Sequence, residues 1–261
     1  MSGIKRRRLP GGLTANRLIP NALTLLALCA GVTAIRLALM ERWEFAAAAI
    51  VVAMILDILD GRIARLMGAT SEFGAQLDSL ADVINFGVSP ALIVYLWTLN
   101  EIGGLGWALA LVFVMCCALR LARFNTALGD PDPVPWSDMF FTGVPAPGAA
   151  GIVLLPMVLS FELGGEILGS PALNGIMMLV AAALMVSKIP TFSTKRMKVP
   201  HKYLGLALIG VGAVAAFLVS TPWVILGIAG VAYLVSIPLA AMSYRRLEAN
   251  TPSGKDADTD A

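Results

Sequence analysis

Four aspartates stand in two pairs whose spacing suits joint chemistry on helices. Asp57 and Asp60 are three residues apart, and Asp78 and Asp82 are four residues apart. Residues at these separations share one face of a helix, so each pair would present two carboxylates side by side. Crowded carboxylates repel one another and lose solvation, and bound cations relieve both effects. An all-oxygen ligand set suits Mg²⁺ or Mn²⁺ rather than Zn²⁺, and four carboxylates match a two-metal site that clamps a phosphoryl group.

Three small residues and one arginine lie on the same two helical faces. They are Gly61, Ala64, Gly74 and Arg65. A glycine inside a helix costs about 1 kcal/mol relative to alanine, so a ligand that approaches closely, such as a nucleotide, would explain the glycines. Arg65 is then placed to meet a phosphate. The alternative is that the acids are ordinary residues at span ends, paired with Arg62 and Arg65, but four acids on two glycine-bearing faces favour the metal site.

The composition indicates that these faces belong to membrane-spanning helices. Of 261 residues, 58% are hydrophobic and 14% are charged, and the mean hydropathy is +0.81. Soluble domains are typically about 45–50% apolar and about 25% charged, so a soluble enzyme, a disordered protein and a nucleic-acid binder are excluded. The sequence predicts an all-α, polytopic membrane bundle of about eight helices. The apolar segments are residues 19–40, 43–65, 77–98, 103–125, 145–163, 171–191, 202–220 and 222–243.

Basic residues fall almost entirely on one side of these spans. Of the 19 lysines and arginines, all but Arg36 and Arg42 lie on one side, in the N-terminal segment, in the C-terminal segment, or in the even-numbered loops and the span ends that adjoin them. Positive charge accumulates on the cytoplasmic side of membrane proteins, so both termini and the aspartates are predicted to be cytoplasmic. The chain then divides into a basic cytoplasmic segment at 1–18, a transmembrane catalytic domain at 19–244 and a disordered, acidic cytoplasmic tail at 245–261.

The aspartates and their small neighbours form one motif that resembles the signature of the CDP-alcohol phosphatidyltransferase family. The motif reads Asp57-x2-Asp60-Gly61-x2-Ala64-Arg65-x8-Gly74-x3-Asp78-x3-Asp82. The sequence matches the family pattern at every position of the motif. The resemblance implies an integral membrane enzyme, commonly a homodimer, that transfers a group from a CDP-linked lipid to an alcohol. Such an enzyme releases CMP and requires Mg²⁺ or Mn²⁺.

The resemblance also implies roles for individual residues. The metal ligands would be Asp57, Asp60 and Asp78. Asp82 would be the general base and a further metal contact. The residues around the CDP moiety would be Gly61, Ala64, Arg65 and Gly74. Asn21 and Thr24, in a similar stretch that opens the first span, either cap that helix or contact the nucleotide, and the resemblance favours the nucleotide.

The sequence around the motif resembles the bacterial members of this family that use serine as the acceptor alcohol. The similar stretches are residues 20–24, 78–90, 119–125, 141–147 and 187–193. The implied reaction transfers the phosphatidyl group of CDP-diacylglycerol to the hydroxyl of L-serine in the bacterial inner membrane and releases CMP. Arg120 and Arg123, one helical turn apart, could bind the serine carboxylate, anchor the span end or hold the lipid diphosphate. Further polar candidates for serine or phosphate are Ser89, Asn125 and Lys188.

Two other functions stay open on the sequence alone. The first is the same chemistry with glycerol 3-phosphate, inositol phosphate or choline, of which the phosphorylated alcohols should require more basic residues. The second is a divalent-cation transporter, in which the aspartates would bind an ion in transit. Transport sites lie near the middle of the bilayer, often at broken helices in repeated halves. Here the acids gather at one membrane face and no internal repeat is found, so the enzyme is favoured.

The charge distribution makes the membrane topology testable. Fusions of alkaline phosphatase and of green fluorescent protein at Asn100 and Thr221 should both report the extracytoplasmic side, because almost all basic residues lie in the opposite loops. A fusion at Gly68, between the second and third spans, is the control and should report the cytoplasm. If Asn100 and Thr221 both read as cytoplasmic, the predicted span count is wrong.

Overall fold

Helices make up almost all of the described chain. The computed structural model describes residues 15–127, 140–187, 190–192, 217 and 220–249. The helices are α1 Ala15–Leu39, α2 Trp43–Leu66, α3 Glu72–Asp82, α4 Ser89–Trp97, α5 Gly104–Ala127, α6 Ala146–Leu163, α7 Pro171–Val186 and α8 Pro222–Ala249. A π-helical segment, Val83–Val88, joins α3 directly to α4, and a 3₁₀ turn, Leu99–Ile102, precedes α5. The predicted all-α class is confirmed.

Five of the described helical stretches are long and apolar enough to cross a membrane. They are Leu18–Leu39, Glu72–Trp97, Gly104–Thr126, Ala146–Leu163 and Pro222–Ala240. α2 has the length of a span but carries Asp57, Asp60 and further charged side chains, and α7 is apolar with 16 residues. These seven stretches correspond to seven of the eight predicted spans, while most of the predicted span at 202–220 lies outside the described residues. The protein is a multi-pass membrane protein, and the count of eight is approximate.

α1 is the helix against which both aspartate-bearing helices pack. It lies along α2, and it also contacts α3, the π-helical segment and α4. The buried residues between α1 and α2 include Ala34, Ala38, Ala46 and Ala47. Small side chains let helices approach closely in a membrane, where packing rather than the hydrophobic effect holds helices together. α1 therefore fixes α2 and α3 relative to each other.

A short turn returns the chain from α2 to α3. Gly68 has a φ of 58°, the left-handed conformation that glycine adopts without strain. The N–H of Ala69 donates to the carbonyl of Ala64 at 2.9 Å, a bond that is typical of a Schellman ending. The hydroxyl of Ser71 caps α3, because it accepts a hydrogen bond from the N–H of Gly74 at 3.0 Å. This turn brings the last residues of α2 and the first residues of α3 to the same end of the bundle.

The helix that carries Asp78 and Asp82 widens into the π-helical segment immediately after them. There the N–H of Ser89 bonds to the carbonyl of Ile84, five residues earlier. Pro90 explains the widening, because it lacks an N–H and its ring would collide with a carbonyl four residues earlier in a regular α-helix. Hydropathy carries no signal for this segment, and Pro90 is the sequence feature that could have indicated it. Such segments are frequent at functional sites.

The π-helical segment presses against α1 at Gly31. The hydroxyl of Ser89 donates to the carbonyl of Gly31 at 3.0 Å. A Cβ atom on Gly31 would lie 3.2 Å from the Asn85 Cα and would overlap the Asn85 side chain. Asn85 and Ser89 are both buried at this contact. The glycine thus permits a close approach that positions the chain three residues beyond Asp82.

The second half of the chain completes the bundle. α6 packs against α7 and α8, and α5 packs against α7. Two strands, β1 Phe140–Thr142 and β2 Pro190–Phe192, pair in antiparallel register with Phe141 opposite Thr191, and α8 lies against β2. One buried cluster contains residues from both halves, including Phe86, Phe113, Met157 and Met178. α2 contacts α6, and the π-helical segment that follows Asp82 contacts both α5 and α6.

Gly31→Ala should destabilise the protein by about 1–3 kcal/mol, because an added methyl group at a tight contact forces its neighbours to move. Gly151→Ala is the matched control, since Gly151 also lies within a helix but a Cβ there would have no atom within 4 Å. Thermal unfolding of both variants in the same detergent measures the difference. Equal stability of Gly31→Ala and the unchanged protein would contradict the tight contact.

Candidate active site

Three carboxylates from two helices converge at one point. Asp57 and Asp60 on α2 and Asp78 on α3 each offer one oxygen, and these oxygens all lie within 4.8 Å of one another. Two oxygens on opposite sides of one Mg²⁺ stand about 4.2 Å apart, so the observed spread is close to what a hard divalent cation needs. The fold thus brings together the three ligands that the family resemblance implies, and they could hold such an ion.

Asp60 is the most buried of the four aspartates, with 4% of its surface exposed. The hydroxyl of Thr24 on α1 donates to Asp60 Oδ2 at 2.5 Å and also lies 3.1 Å from the carbonyl of Pro20. Thr24 is itself buried. A hydrogen bond to a metal-ligating carboxylate fixes its orientation. Thr24 was predicted to contact the CDP lipid, and the structure places its hydroxyl against Asp60.

Asp82 lies one helical turn beyond Asp78, beside the three-carboxylate cluster rather than within it. Its side chain contacts that of Asp57, and its Oδ1 atom is buried without a hydrogen-bond partner among the described residues. Its charged neighbours also include Asp78 and Arg120. A carboxylate with an unoccupied acceptor oxygen next to a cluster that can bind a substrate is well placed to accept a proton.

The two glycines of the motif differ in what surrounds them. A Cβ atom on Gly74 would lie 3.1 Å from both Asn21 Oδ1 and Ser71 Oγ, so packing within the protein accounts for this glycine. A Cβ atom on Gly61 would meet only the guanidinium of Arg65, at 3.7 and 3.9 Å, which is ordinary contact. Packing therefore does not explain Gly61, whereas a ligand lying close to the backbone would.

The remaining motif residues lie at the end of α2. Ala64 is half-buried, and Arg65 is exposed with its guanidinium beside Gly61. The charged neighbours of Asp57 and Asp78 are chiefly other aspartates. The sequence left open that the acids pair with Arg62 and Arg65. The neighbours of Asp57 and Asp78 show that such pairing does not hold the cluster together.

Ser89 and Asn125, both predicted to bind serine or phosphate, have partners within the protein. Ser89 is buried and donates to the carbonyl of Gly31 on α1. The side-chain N–H of Asn125 on α5 donates to the hydroxyl of Ser79 on α3 at 3.0 Å. These two bonds tie the helix that carries Asp78 and Asp82 to its neighbours on both sides. Lys188 lies outside the described residues.

Arg120 and Arg123 have different partners although they lie one turn apart. Arg123 is exposed and donates from Nη1 to the carbonyl of Val186 at the end of α7, at 3.2 Å. The Nε atom of Arg120 is buried and has no hydrogen-bond partner among the described residues, and Asp82 is among its charged neighbours. A half-buried guanidinium beside Asp82 is suited to bind an anion. The two arginines are therefore not equivalent candidates.

Tyr233 on α8 is an electrostatic neighbour of Arg120 that sequence reasoning did not single out. Its hydroxyl is buried without a hydrogen-bond partner among the described residues, and Arg120 is its electrostatic neighbour. Gly148 on α6 makes room for it, since a Cβ there would lie 2.5 Å from the tyrosine hydroxyl. The last two spans contain no motif, so the signal available was a tyrosine in an apolar helix, whose hydroxyl needs a partner when buried.

Most of the chain, including the aspartate motif, matches a known sequence family. The family profile described as CDP-alcohol phosphatidyltransferase matches residues 17–187. The chain belongs to this family. A second profile, described as CDP-alcohol phosphatidyltransferase 2, matches residues 202–238, which include Tyr233. The resemblance seen in the motif is thereby confirmed.

Curated relatives from several bacteria share the same printed name, CDP-diacylglycerol–serine O-phosphatidyltransferase. The protein from Mycobacterium leprae is 36% identical over 240 residues, which cover 92% of this chain and 80% of the relative. That from Mycobacterium tuberculosis is 37% identical over 231 residues, covering 88% and 80%. That from Helicobacter pylori is 38% identical over 192 residues, covering 74% and 79%. The likeness thus extends over most of each chain.

Removing the hydroxyl of Thr24 should weaken divalent-metal binding at the cluster by about 10- to 100-fold, as expected when a group that orients a ligand is lost. Thr24→Val removes the hydroxyl, and Thr24→Ser keeps it and should retain most of the affinity. Thr33→Val is the control on the same helix, because the Thr33 hydroxyl donates only to the carbonyl of Cys29. Titration of purified protein with Mn²⁺, followed by electron paramagnetic resonance, measures the affinity. Unchanged affinity in Thr24→Val would contradict the supporting role.

Proposed function

We propose that the protein transfers the phosphatidyl group of CDP-diacylglycerol to the hydroxyl of L-serine, which yields phosphatidylserine and CMP. The observation that carries this proposal is the cluster of Asp57, Asp60 and Asp78 on the family motif, with Asp82 beside it. The names of the relatives support serine as the acceptor. The charge distribution supports a reaction at the cytoplasmic face of the bacterial inner membrane with both termini cytoplasmic, and the family resemblance supports a homodimer.

The donor set of the cluster fits Mg²⁺ or Mn²⁺, and the proposal includes two ions. Bound cations would polarise the diphosphate of the CDP lipid and stabilise the charge on the departing CMP. Asp57 belongs to the three-carboxylate cluster and also contacts Asp82, so it is the residue best placed to share two ions. Thr24 keeps the Asp60 carboxylate turned toward the cluster.

The CDP moiety is proposed to lie along the end of α2. Gly61 leaves its backbone open to a ligand, and the half-buried Ala64 continues the same helical face. The exposed guanidinium of Arg65 can meet a phosphate there. Asn21 and Gly74, which lie close together, would border the nucleotide on the opposite side. The acyl chains stay in the bilayer.

The reaction is proposed to be a direct displacement at the phosphorus that bears the diacylglycerol. The serine oxygen forms a new bond to that phosphorus, and the bond from the phosphorus to the CMP oxygen breaks, so CMP leaves with the electron pair. Asp82 takes the proton from the serine hydroxyl through its unoccupied Oδ1 atom. Arg120 holds the serine carboxylate, which orients the hydroxyl toward Asp82.

The charges around Asp82 favour serine over a phosphorylated alcohol. A phosphate that carries two negative charges would call for several cationic groups. Among the described residues, Arg120 neighbours Asp82, whereas Arg123 is engaged with the carbonyl of Val186. One half-buried arginine suits one carboxylate. A cation transporter is disfavoured because the three carboxylates all lie in the halves of their helices that adjoin the turn between α2 and α3, whereas transport sites lie near the middle of the bilayer.

Purified protein with CDP-diacylglycerol and Mg²⁺ should release CMP only when serine is added, and phosphatidylserine should form in equal amount. Glycerol 3-phosphate, inositol phosphate and choline are the comparison acceptors at the same concentration. Release that depends on one of these and not on serine would show that the acceptor is wrong. Full activity in EDTA would contradict the metal site.

Asp82→Asn should lower kcat by about 10²–10⁴-fold, because the proton acceptor is lost, while the affinity for CDP-diacylglycerol stays near normal. Asp57→Asn should reduce both turnover and CDP-lipid binding, since it removes a ligand of the cluster. Single-turnover kinetics and binding of CDP-diacylglycerol separate the two effects. Equal loss of CDP-lipid binding in both variants would mean that Asp82 acts mainly as a metal ligand.

A further inference from the structure

We propose that Tyr233 determines the choice of acceptor, by donating a hydrogen bond to the same carboxylate that Arg120 binds. The helix α8, outside the aspartate motif, would thereby form one wall of the acceptor pocket. This inference rests on the proposed function and extends it to a residue of the last span.

Three buried polar atoms without hydrogen-bond partners among the described residues carry the argument. They are Asp82 Oδ1 on α3, Arg120 Nε on α5 and Tyr233 Oη on α8. Arg120 has both Asp82 and Tyr233 among its electrostatic neighbours, so the three groups belong to one region. Buried polar atoms are almost always hydrogen-bonded in native proteins. Three unpartnered atoms in one region, from three different helices, therefore indicate a polar ligand.

The three groups match the functional groups of a hydroxy acid. The carboxylate of Asp82 accepts a hydrogen bond from the substrate hydroxyl and then its proton. The guanidinium of Arg120 and the hydroxyl of Tyr233 both donate, and a carboxylate can accept from two donors at once. An amino alcohol without a carboxylate would leave both donors unpaired, which is how a site rejects a substrate analogue that lacks a polar group.

Apart from Arg120, the described surroundings of the Tyr233 side chain are largely apolar. The ring borders a cavity of about 260 Å³ between α2, α6 and α8, and every other residue that lines this cavity is apolar, including Met54, Leu154 and Leu226. The cavity therefore offers no polar group to the hydroxyl. Gly148 lets the hydroxyl approach α6 closely, since a side chain there would displace it.

The lipid diphosphate is the other anion that could lie beside Arg120. Arg65 and the open backbone of Gly61 already provide for phosphate at the end of α2, whereas Tyr233 and Arg120 adjoin the proposed base. The acceptor carboxylate is therefore the better match, and the diphosphate becomes an outcome that the experiment can reveal.

Tyr233→Phe, which removes one oxygen atom, is the test. The KM for serine should rise about 10-fold or more, as expected for a lost hydrogen bond to a charged group, and the KM for CDP-diacylglycerol should stay nearly unchanged. Serinamide and ethanolamine lack the carboxylate, so the preference for serine over both should shrink in the variant. Tyr95→Phe is the matched control, because Tyr95 packs edge-to-face on Trp107 with ring centroids 5.2 Å apart. Unchanged Mn²⁺ affinity in both variants shows that the fold and the cluster are intact.

If one carboxylate is bound by both residues, the effects of their substitutions on the KM for serine should be coupled. If Tyr233 and Arg120 bind the same group, the effects of Tyr233→Phe and Arg120→Lys on the KM for serine should be less than additive in the double variant. An unchanged KM for serine in Tyr233→Phe, in a protein that turns over serine, would overturn this inference alone. A rise confined to the KM for CDP-diacylglycerol would assign the hydroxyl to the diphosphate and overturn it as well. Absence of serine-dependent CMP release from the unchanged protein would overturn the proposed function, and the carboxylate assignment with it.

Discussion

Electrostatic repulsion among the carboxylates of Asp57, Asp60 and Asp78 is the interaction to which the surrounding helices are adapted. Two unit charges 4 Å apart repel by about 4 kcal/mol at an effective dielectric constant of 20, and the cluster contains three such groups within 4.8 Å of one another. The helices that carry them must be held together by packing elsewhere. The alanine-rich contact between α1 and α2 and the tight contact at Gly31 provide that packing.

Because the carboxylates repel one another, different helices carry the acids and hold them in place. α2 and α3 carry the acids, while α1 contributes Thr24 behind Asp60 and the close contact at Gly31. α5 ties α3 in place through Asn125 and presents Arg120 next to Asp82. The motif supplies the charges, but their arrangement depends on helices outside it.

The features that the sequence predicted are those encoded by local spacing. Aspartates three and four residues apart must share a helical face, and continuous apolar runs of the required length must be spans, so the cluster and most spans could be inferred directly. The different fates of Arg120 and Arg123 could not, because they depend on where α7 ends and where α3 lies. Tyr233 was not singled out for the same reason, since its neighbour Arg120 lies more than a hundred positions earlier in the chain. The π-helical segment had a local cause in Pro90, yet hydropathy alone cannot reveal it.

The contrast between Gly74 and Gly61 has a consequence for how such a motif changes over evolutionary time. Gly74 is favoured by packing within the protein, because a Cβ there would lie 3.1 Å from both Asn21 Oδ1 and Ser71 Oγ and those side chains would have to shift. Gly61 has room around it within the protein, so under the proposed function the bound CDP lipid would be what constrains that position. A descendant of this chain that had lost catalysis but still folded would keep Gly74 and lose Gly61. Within the motif, Gly74 would then serve folding and Gly61 would serve catalysis. A relative that had lost its activity would show which glycine serves which.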